Sequence, residues 1–123
     1  MPPVYPKSKI LLLDSRSVLA AWLLLAVIPV VFYILKLIGT QSVAVLSFLV
    51  VLFLLTVVGH LALSFSHRCP ACGKHPTIQG FKPPHPNSAE QSALSGWAGA
   101  VVNVLRRRQL VCIHCGAKFQ VQA

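Results

Sequence analysis

Two long apolar runs dominate the first half of the chain. The first covers residues 18–38 and is interrupted only by Pro29 and Lys36, and the second covers residues 43–65. The hydrocarbon core of a bilayer is about 30 Å thick and is crossed by about 20 helical residues, so each run is long enough to span it. The pattern predicts two transmembrane helices, made antiparallel neighbours by the short turn at 39–42.

Two other interpretations of these runs are less favourable. Helices buried in a soluble core need a large protein around them, and the remaining residues do not supply one. A signal peptide cleaved near 42–44 would have an apolar region of only about 7–15 residues, which is shorter than the run at 18–38. We therefore favour an uncleaved hairpin.

Basic residues flank the hairpin and predict its orientation. The formal net charge is +9, with Lys7, Lys9 and Arg16 before the first run and seven basic residues after the second. Only two acidic side chains are present, Asp14 and Glu90. Because Lys and Arg are enriched in cytoplasmic flanks, we expect an integral protein of an inner or plasma membrane with both termini in the cytoplasm.

The hairpin divides the chain into a cytosolic N-terminal segment, 1–17, the transmembrane hairpin, 18–65, and a cytosolic domain, 66–123. In the first part, an apolar patch at 10–13 is expected to lie in the membrane interface. Asp14 or Ser17 is expected to cap the first span, because side-chain oxygens accept hydrogen bonds from the first amides of a helix.

All four cysteines fall in the last part, in two pairs with the same spacing. Cys69 and Cys72 form the first C-x-x-C, Cys112 and Cys115 form the second, and a glycine follows each pair. Two such pairs supply four thiolates for one tetrahedral Zn²⁺. The glycines suit the tight turn of a metal knuckle because glycine tolerates positive φ. We expect a structural Zn²⁺ site, and the same thiolates would also bind iron.

Other uses of these cysteines stay open. A redox dithiol is typically found in a βαβ fold, and no such pattern flanks the pairs. A second alternative is a Cys₃His site, in which one thiolate is replaced by His67, His75 or His114. The simpler interpretation is that these histidines are polar residues around the metal. Cytosolic thiols remain reduced, so disulfides are expected only if the topology is inverted.

The segments 69–73 and 112–119 resemble the zinc-ribbon group, in which a small β-hairpin fold holds one zinc between two knuckles. The chain differs from this group in the length of the interval between the cysteine pairs, which is 39 residues where about 15–20 are usual. The fold class expected is therefore a membrane α-helical hairpin followed by a small β-rich zinc ribbon with a helical insertion at 82–108. The resemblance implies no particular activity.

The interval also carries patterns of its own. Residues 77–81 are expected to form a strand leaving the first knuckle, and the proline-rich segment 83–86 is a stiff spacer. A helical pattern follows from residue 87 or 88 through about residue 105, with Glu90 and Gln91 placed for a capping box.

Two further groups of residues are candidate contact sites. Arg106, Arg107 and Arg108, with Trp97 on the same predicted helix, form a candidate surface for anionic lipid or a partner. The alternatives are a solvated helix end or a nucleic-acid contact. Thr56, His60 and Ser64 share one face of the second span and form a candidate contact stripe, unless His60 simply bonds to Thr56 or to the first span.

The chain contains no recognisable set of catalytic residues. Its two carboxylates offer little acid–base chemistry, and no glycine-rich phosphate-binding loop is found. We expect no small-molecule substrate. The function expected is that of a non-enzymatic accessory or interaction subunit, packed against membrane lipids and a larger integral membrane protein. The alternative is a membrane-tethered regulator that binds nucleic acid or senses metal or redox state through the ribbon.

Overall fold

The computed structural model describes residues 1–40, 42–89 and 94–123. The expected capping box at Glu90 and Gln91, and Gln41 of the expected turn, lie outside the described residues. The elements, in chain order, are α1 (Ser8–Leu37), α2 (Val43–Ser66), α3 (Pro86–Ala89), α4 (Gly96–Arg107), β1 (Gln109–Val111) and β2 (Lys118–Gln120).

Helices α1 and α2 form an antiparallel hairpin. They contain 30 and 24 residues and are about 45 and 36 Å long at 1.5 Å per residue. Both are long and apolar enough to cross a membrane, and most of their apolar side chains are exposed. Two long apolar helices followed by a small module with a cysteine cluster are therefore confirmed. Pro29 lies inside α1, where its ring removes one helical hydrogen bond.

Helix α1 begins at Ser8, well before residue 18, which corrects two expectations. Asp14 and Ser17 lie inside the helix and cap nothing, and the residue before the helix, Lys7, makes no side-chain cap. In the apolar patch at 10–13, Leu11 and Leu12 are buried in the core, whereas Leu13 is 55 % exposed, so the expected interfacial position does not hold for the two buried leucines. The helix extends this far because no proline or glycine lies between residues 8 and 17 and because Leu11 and Leu12 gain burial against the C-terminal part.

The N-terminal segment joins the sheet of the C-terminal part. Strands β1 and β2 pair antiparallel, with Leu110 opposite Phe119. Val4 bridges Gln120 in parallel, and the Tyr5 N–H donates to the Gln120 carbonyl at 2.8 Å. A third extended segment thus lies on the free edge of β2. Both ends of the chain are therefore on the same side of the hairpin.

The expected strand at 77–81 does not form. The chain turns there, with the Ile78 N–H donating to the His75 carbonyl at 3.3 Å. The edge of β2 is already occupied by the N-terminal segment, and Thr77 is buried elsewhere. We call residues 67–89 and 94–123 the C-terminal module.

Helix α4 connects the module to the hairpin. It packs against α1 on one side and β1 on the other. Val101 and Val104 are fully buried, and the latter shares the core with Tyr5 and Leu11 from the N-terminal part of the chain. The core is thus built jointly from residues near both ends of the sequence, so the module is part of the same unit as the first turns of α1.

Candidate metal centre and the polar junction beside it

Each cysteine pair folds into the same tight knuckle. In the first, the Gly73 N–H donates to the Cys69 carbonyl at 2.8 Å, and the Cys69 N–H donates to the Lys74 carbonyl. In the second, the Gly116 N–H donates to the Cys112 carbonyl at 2.9 Å. Both glycines have positive φ, 73° and 75°, as the sequence predicts. A β-carbon at Gly116 would also collide with the ring of His85.

The knuckles face each other and bring the four sulfur atoms together. All four lie within 4.8 Å of one another. The Sγ atoms of Cys69 and Cys115 are 3.8 Å apart, and those of Cys72 and Cys112 are 3.7 Å apart. Four ligands at a zinc–sulfur distance of about 2.3 Å, arranged tetrahedrally, have sulfur atoms about 3.8 Å apart. The four cysteines therefore form a site that fits a tetrahedral metal ion.

Burial and backbone dipoles act on these thiols in opposite directions. Burial raises the pKa of Cys69 and Cys112, although backbone N–H groups of the knuckles partly offset it. Burial also acts to raise the pKa of Cys72, but the Lys74 amide and the neighbouring thiols outweigh it and lower that pKa. Metal binding must therefore displace protons, at least from the two buried thiols, and the affinity for metal falls as pH falls.

The three histidines beside the cysteines bond to other groups. The His75 Nδ1 lies 2.9 Å from the carbonyls of Ser64 and His67. The His114 Nε2 lies 3.0 Å from the carbonyls of His75 and Ile78. These contacts fix the turn after the first knuckle to the end of α2 and to the second knuckle. His75 and His114 thus stabilise the segments around the cysteine cluster. The candidate metal ligands are the four thiols alone.

A buried carboxylate lies where the module meets the hairpin. Asp14 of α1 is 0 % exposed. The Nδ1 of His60 bonds to one carboxylate oxygen, and the Nε2 of His67 lies 3.1 Å from the other. The hydroxyls of Ser64 and Thr77 donate to the same group at 3.0 and 2.8 Å. Asp14 therefore joins α1 to α2 and to the turn after the first knuckle, and we call these five residues the polar junction.

Hydrogen-bond counting at His67 indicates how the charge of Asp14 is balanced. Burial raises the pKa of Tyr5, so its hydroxyl keeps its single proton and donates it to the Arg68 carbonyl at 2.8 Å. The Tyr5 oxygen lies 3.0 Å from the His67 Nδ1, and the Nε2 on the opposite side of the ring lies 3.1 Å from Asp14. His67 thus links the N-terminal segment to the buried carboxylate, whose charge is met by hydrogen-bonding groups and is not left unpaired.

Trp97 closes the junction on the side of α4. Its ring centroid lies 5.9 Å from that of Trp22 in α1 and 6.1 Å from that of His60 in α2. The side chain that the sequence singled out as a lipid or partner contact is half-buried against both helices of the hairpin. Its packing fixes the start of α4 beside the predicted spans.

The predicted contact stripe is divided by the fold. His60 and Ser64 point into the polar junction, whereas the Thr56 hydroxyl donates to the Phe53 carbonyl within α2. The alternative in which His60 bonds to the first helix agrees with these contacts. Two of the three residues of the stripe thus make polar contacts within the chain at the junction, and only Thr56 lies outside the junction.

The three arginines lie at the far end of α4 from Trp97. Arg106, Arg107 and Arg108 are all exposed. Arg108 adopts the left-handed conformation, with φ 55° and ψ 35°, and its N–H donates to the Val104 carbonyl at 3.2 Å. Its own carbonyl accepts from the Val121 N–H at 2.8 Å. Arg108 thus lies beside the sheet and the N-terminal segment.

Sequence reasoning missed the role of Asp14, Thr77 and Tyr5. Asp14 was considered only as a helix cap, because helix α1 was expected to begin after it. One signal was available, since an acidic residue and a histidine on neighbouring apolar helices are expensive in a membrane unless they meet. Nothing local marks Thr77 or Tyr5, because both reach the junction only through the folded module.

We expect that Cys115→Ser reduces the apparent affinity for metal by more than about 100-fold, because one of four thiolates is lost. Loss of a residue that only supports a ligand lowers metal affinity by about 10–100-fold, and loss of the ligand itself should lower it further. The measurement is the metal content of the purified full chain in detergent. Lys74→Gln, an exposed change beside the first knuckle, is the control and should retain one ion per chain. Equal metal content in both variants would contradict a four-thiolate site.

We expect that Asp14→Asn detaches the module from the hairpin and lowers the free energy of unfolding by about 3–5 kcal/mol, because the imidazoles of His60 and His67 lose their buried carboxylate partner. Trypsin should then cleave faster after Arg68, which is measured by mass spectrometry of the fragments. Metal content should be retained, since Asp14 is not a ligand. Lys9→Gln, an exposed change on the same helix, is the control, and equal cleavage rates would refute the role of Asp14.

Comparison of the chain with models of known protein families, with curated proteins and with solved structures found no match. The metal centre and the polar junction therefore rest on the geometry described above.

Proposed function

We propose that this protein is a non-enzymatic membrane subunit in which a two-helix hairpin spans the bilayer and a cytosolic zinc ribbon is docked on one end of it. The ribbon would brace the cytosolic side of a larger membrane protein. The observation that carries the proposal is the combination of an exposed apolar hairpin with a module held rigidly against its end.

The exposed side chains of the hairpin support the membrane part. Phe48 and Leu55, for example, are 67 % and 62 % exposed along α2. A continuous apolar surface of this length is unfavourable in water and is covered by lipid or by another protein. Two helices bury little of each other, and in a bilayer helices associate through packing and polar contacts, so a larger partner would supply the remaining contacts.

The position of the chain ends supports the topology. Val4 pairs with Gln120, so residues before α1 and after α2 are on one side. The basic flanks favour the cytoplasm for that side. Cytosolic thiols stay reduced, which suits a metal site of four cysteines, and we propose Zn²⁺ in a structural role because four thiolates leave no open coordination position.

The polar junction supports a bracing role for the ribbon. His60 and Ser64 are used inside the chain, so we assign the partner contact to the outward apolar faces of the hairpin and to the exposed surface of the module. Because the module is fixed by Asp14, Trp97 and the N-terminal segment, a partner bound to the module is held in a defined position relative to the hairpin. A loosely tethered ribbon would leave that position undefined.

The test is quantitative mass spectrometry of what co-purifies with the tagged chain, expressed at native level and extracted in mild detergent. We expect one larger integral membrane protein in stoichiometric amount. Asp14→Asn should lower its recovery while the chain itself remains in the membrane fraction, because the hairpin persists without the docked module. A chain that is recovered alone would contradict the accessory role.

A second candidate function is favoured by the charge of the module. Within the described residues, every exposed charged side chain of the module and of its link to α2 is basic: Arg68, Lys74, Lys82, Arg106, Arg107, Arg108 and Lys118. Helix α4 starts at Gly96, and Trp97 in its first turn packs on Trp22. The other end of α4 lies beside the sheet that residues 3–5 join. The three arginines are nine to eleven residues beyond Trp97, about 14–17 Å along α4, so they lie at the sheet end of the module. This placement supports a tethered regulator that contacts the phosphates of a nucleic acid.

The backbone of Arg108 gives this candidate a distinct test. The left-handed conformation costs a non-glycine residue about 1–2 kcal/mol, so Arg108→Gly should raise the free energy of unfolding by about 1 kcal/mol. If Arg108 serves binding, the same variant should also weaken salt-dependent binding of the full chain to nucleic acid. Arg108→Ala, which removes the charge but keeps the β-carbon, should weaken binding without the gain in stability. Unchanged binding in both variants would exclude this candidate.

A further inference from the structure

One aromatic side chain of the module has an unusual position. Phe81 is 110 % exposed, at a bend between Gly80 and Lys82. A single exposed apolar residue is common on protein surfaces and needs no explanation by itself. Its height along the hairpin, however, is defined by the contacts of the residues next to it.

Those contacts place Phe81 near the predicted membrane boundary. The Trp97 N–H donates to the side-chain carbonyl of Gln79 at 3.3 Å. The Trp97 ring packs on Trp22 and His60, which both belong to the predicted spans. Phe81 follows Gln79 by two residues and can lie no more than about 7 Å from it. The bend is therefore held at the level where α1 and α2 leave the module.

The exposed surface at this level is apolar on both helices. Leu19 and Leu23 of α1 are exposed, and so are Leu61 and Phe65 of α2. Phe65 also contacts the ring of His75, at a centroid distance of 5.1 Å, so the module begins where this apolar band ends. Phe81 adds an exposed apolar side chain within two residues of Gln79, which bonds at this level.

The residues after Phe81 suit the polar side of the same boundary. Lys82 is exposed and carries a cation, the charge that anionic headgroups attract. Pro83 and Pro84 stiffen the chain beyond it, and the His85 N–H is bonded to the Ile113 carbonyl at 2.8 Å. The bend is thus anchored on both sides, at Gln79 and at His85, and presents Phe81 in a fixed direction.

We propose that Phe81 inserts into the headgroup–acyl boundary of the bilayer, with Lys82 at the phosphates, and forms a third membrane contact beside the two spans. Phe is among the side chains that interfacial segments bury about 5–10 Å deep at the boundary between headgroups and acyl chains. A contact away from the hairpin axis fixes the tilt of the module relative to the membrane. The proposal rests on the membrane-spanning hairpin of the proposed function.

The experiment uses the full chain in liposomes and an added tryptophan as a depth probe. Three single variants are compared with the unsubstituted chain, so that the signals of Trp22 and Trp97 are subtracted. Phe81→Trp tests the proposal, Leu55→Trp lies midway along α2, and Gln122→Trp lies at the exposed end of the module. Each is measured in lipid brominated either near the headgroup or near the end of the acyl chain. Because Phe81 is fully exposed, its replacement removes no packing.

We expect the added emission of Phe81→Trp to be blue-shifted and lost mainly to lipid brominated near the headgroup. Leu55→Trp should lose its emission mainly to lipid brominated near the chain end, and Gln122→Trp should be quenched by neither. A red-shifted, unquenched signal from Phe81→Trp, with Leu55→Trp quenched as expected, would overturn the proposal alone and leave Phe81 free for a protein partner. If Leu55→Trp is not quenched, the membrane-spanning hairpin itself is wrong and this proposal falls with it.

Discussion

The architecture depends on the burial of one carboxylate. Asp14 is fully buried and accepts hydrogen bonds from two imidazoles and two hydroxyls. Its donors come from α2, from the residue after α2 and from the turn after the first knuckle, so three segments must be in place before the charge is compensated. An ion pair of this kind adds little net stability compared with apolar packing, but it strongly penalises any other arrangement. Asp14 thus specifies how the module sits on the hairpin.

The metal centre and the N-terminal segment solve a second problem, which is the small size of the module. Its two strands have three residues each, and the two halves of the cysteine site are separated by a long interval. A domain of this size rarely folds on apolar burial alone. The four thiols could hold a metal ion that closes the interval between the knuckles, and Tyr5, Leu11 and Leu12 complete the core from outside the module. The start of α1 is therefore a structural component of the C-terminal module.

The sequence predicted those parts of the structure that have a local pattern. The apolar runs specified α1 and α2, and the repeated C-x-x-C-G specified the knuckles with their positive-φ glycines. The start of α1, the missing strand at 77–81 and the polar junction were not predictable in the same way. The start of α1 and the missing strand go with the long-range contact between the N-terminal segment and β2, which leaves no periodic signal in residues 3–5. The partners of Asp14 in the polar junction were not predictable either, because they are far from it in the sequence and three of them lie beyond residue 60.

The strand pairing between residues 3–5 and β2 has a consequence for the order in which the protein is made. The N-terminal segment is synthesised before β2, with the whole of α1 and α2 between them. Until β2 has been made, residues 3–5 have no strand to pair with, and Tyr5 lacks its contact with Phe119. The core that Tyr5 and Leu11 share with β2 can therefore be completed only after translation has passed β2.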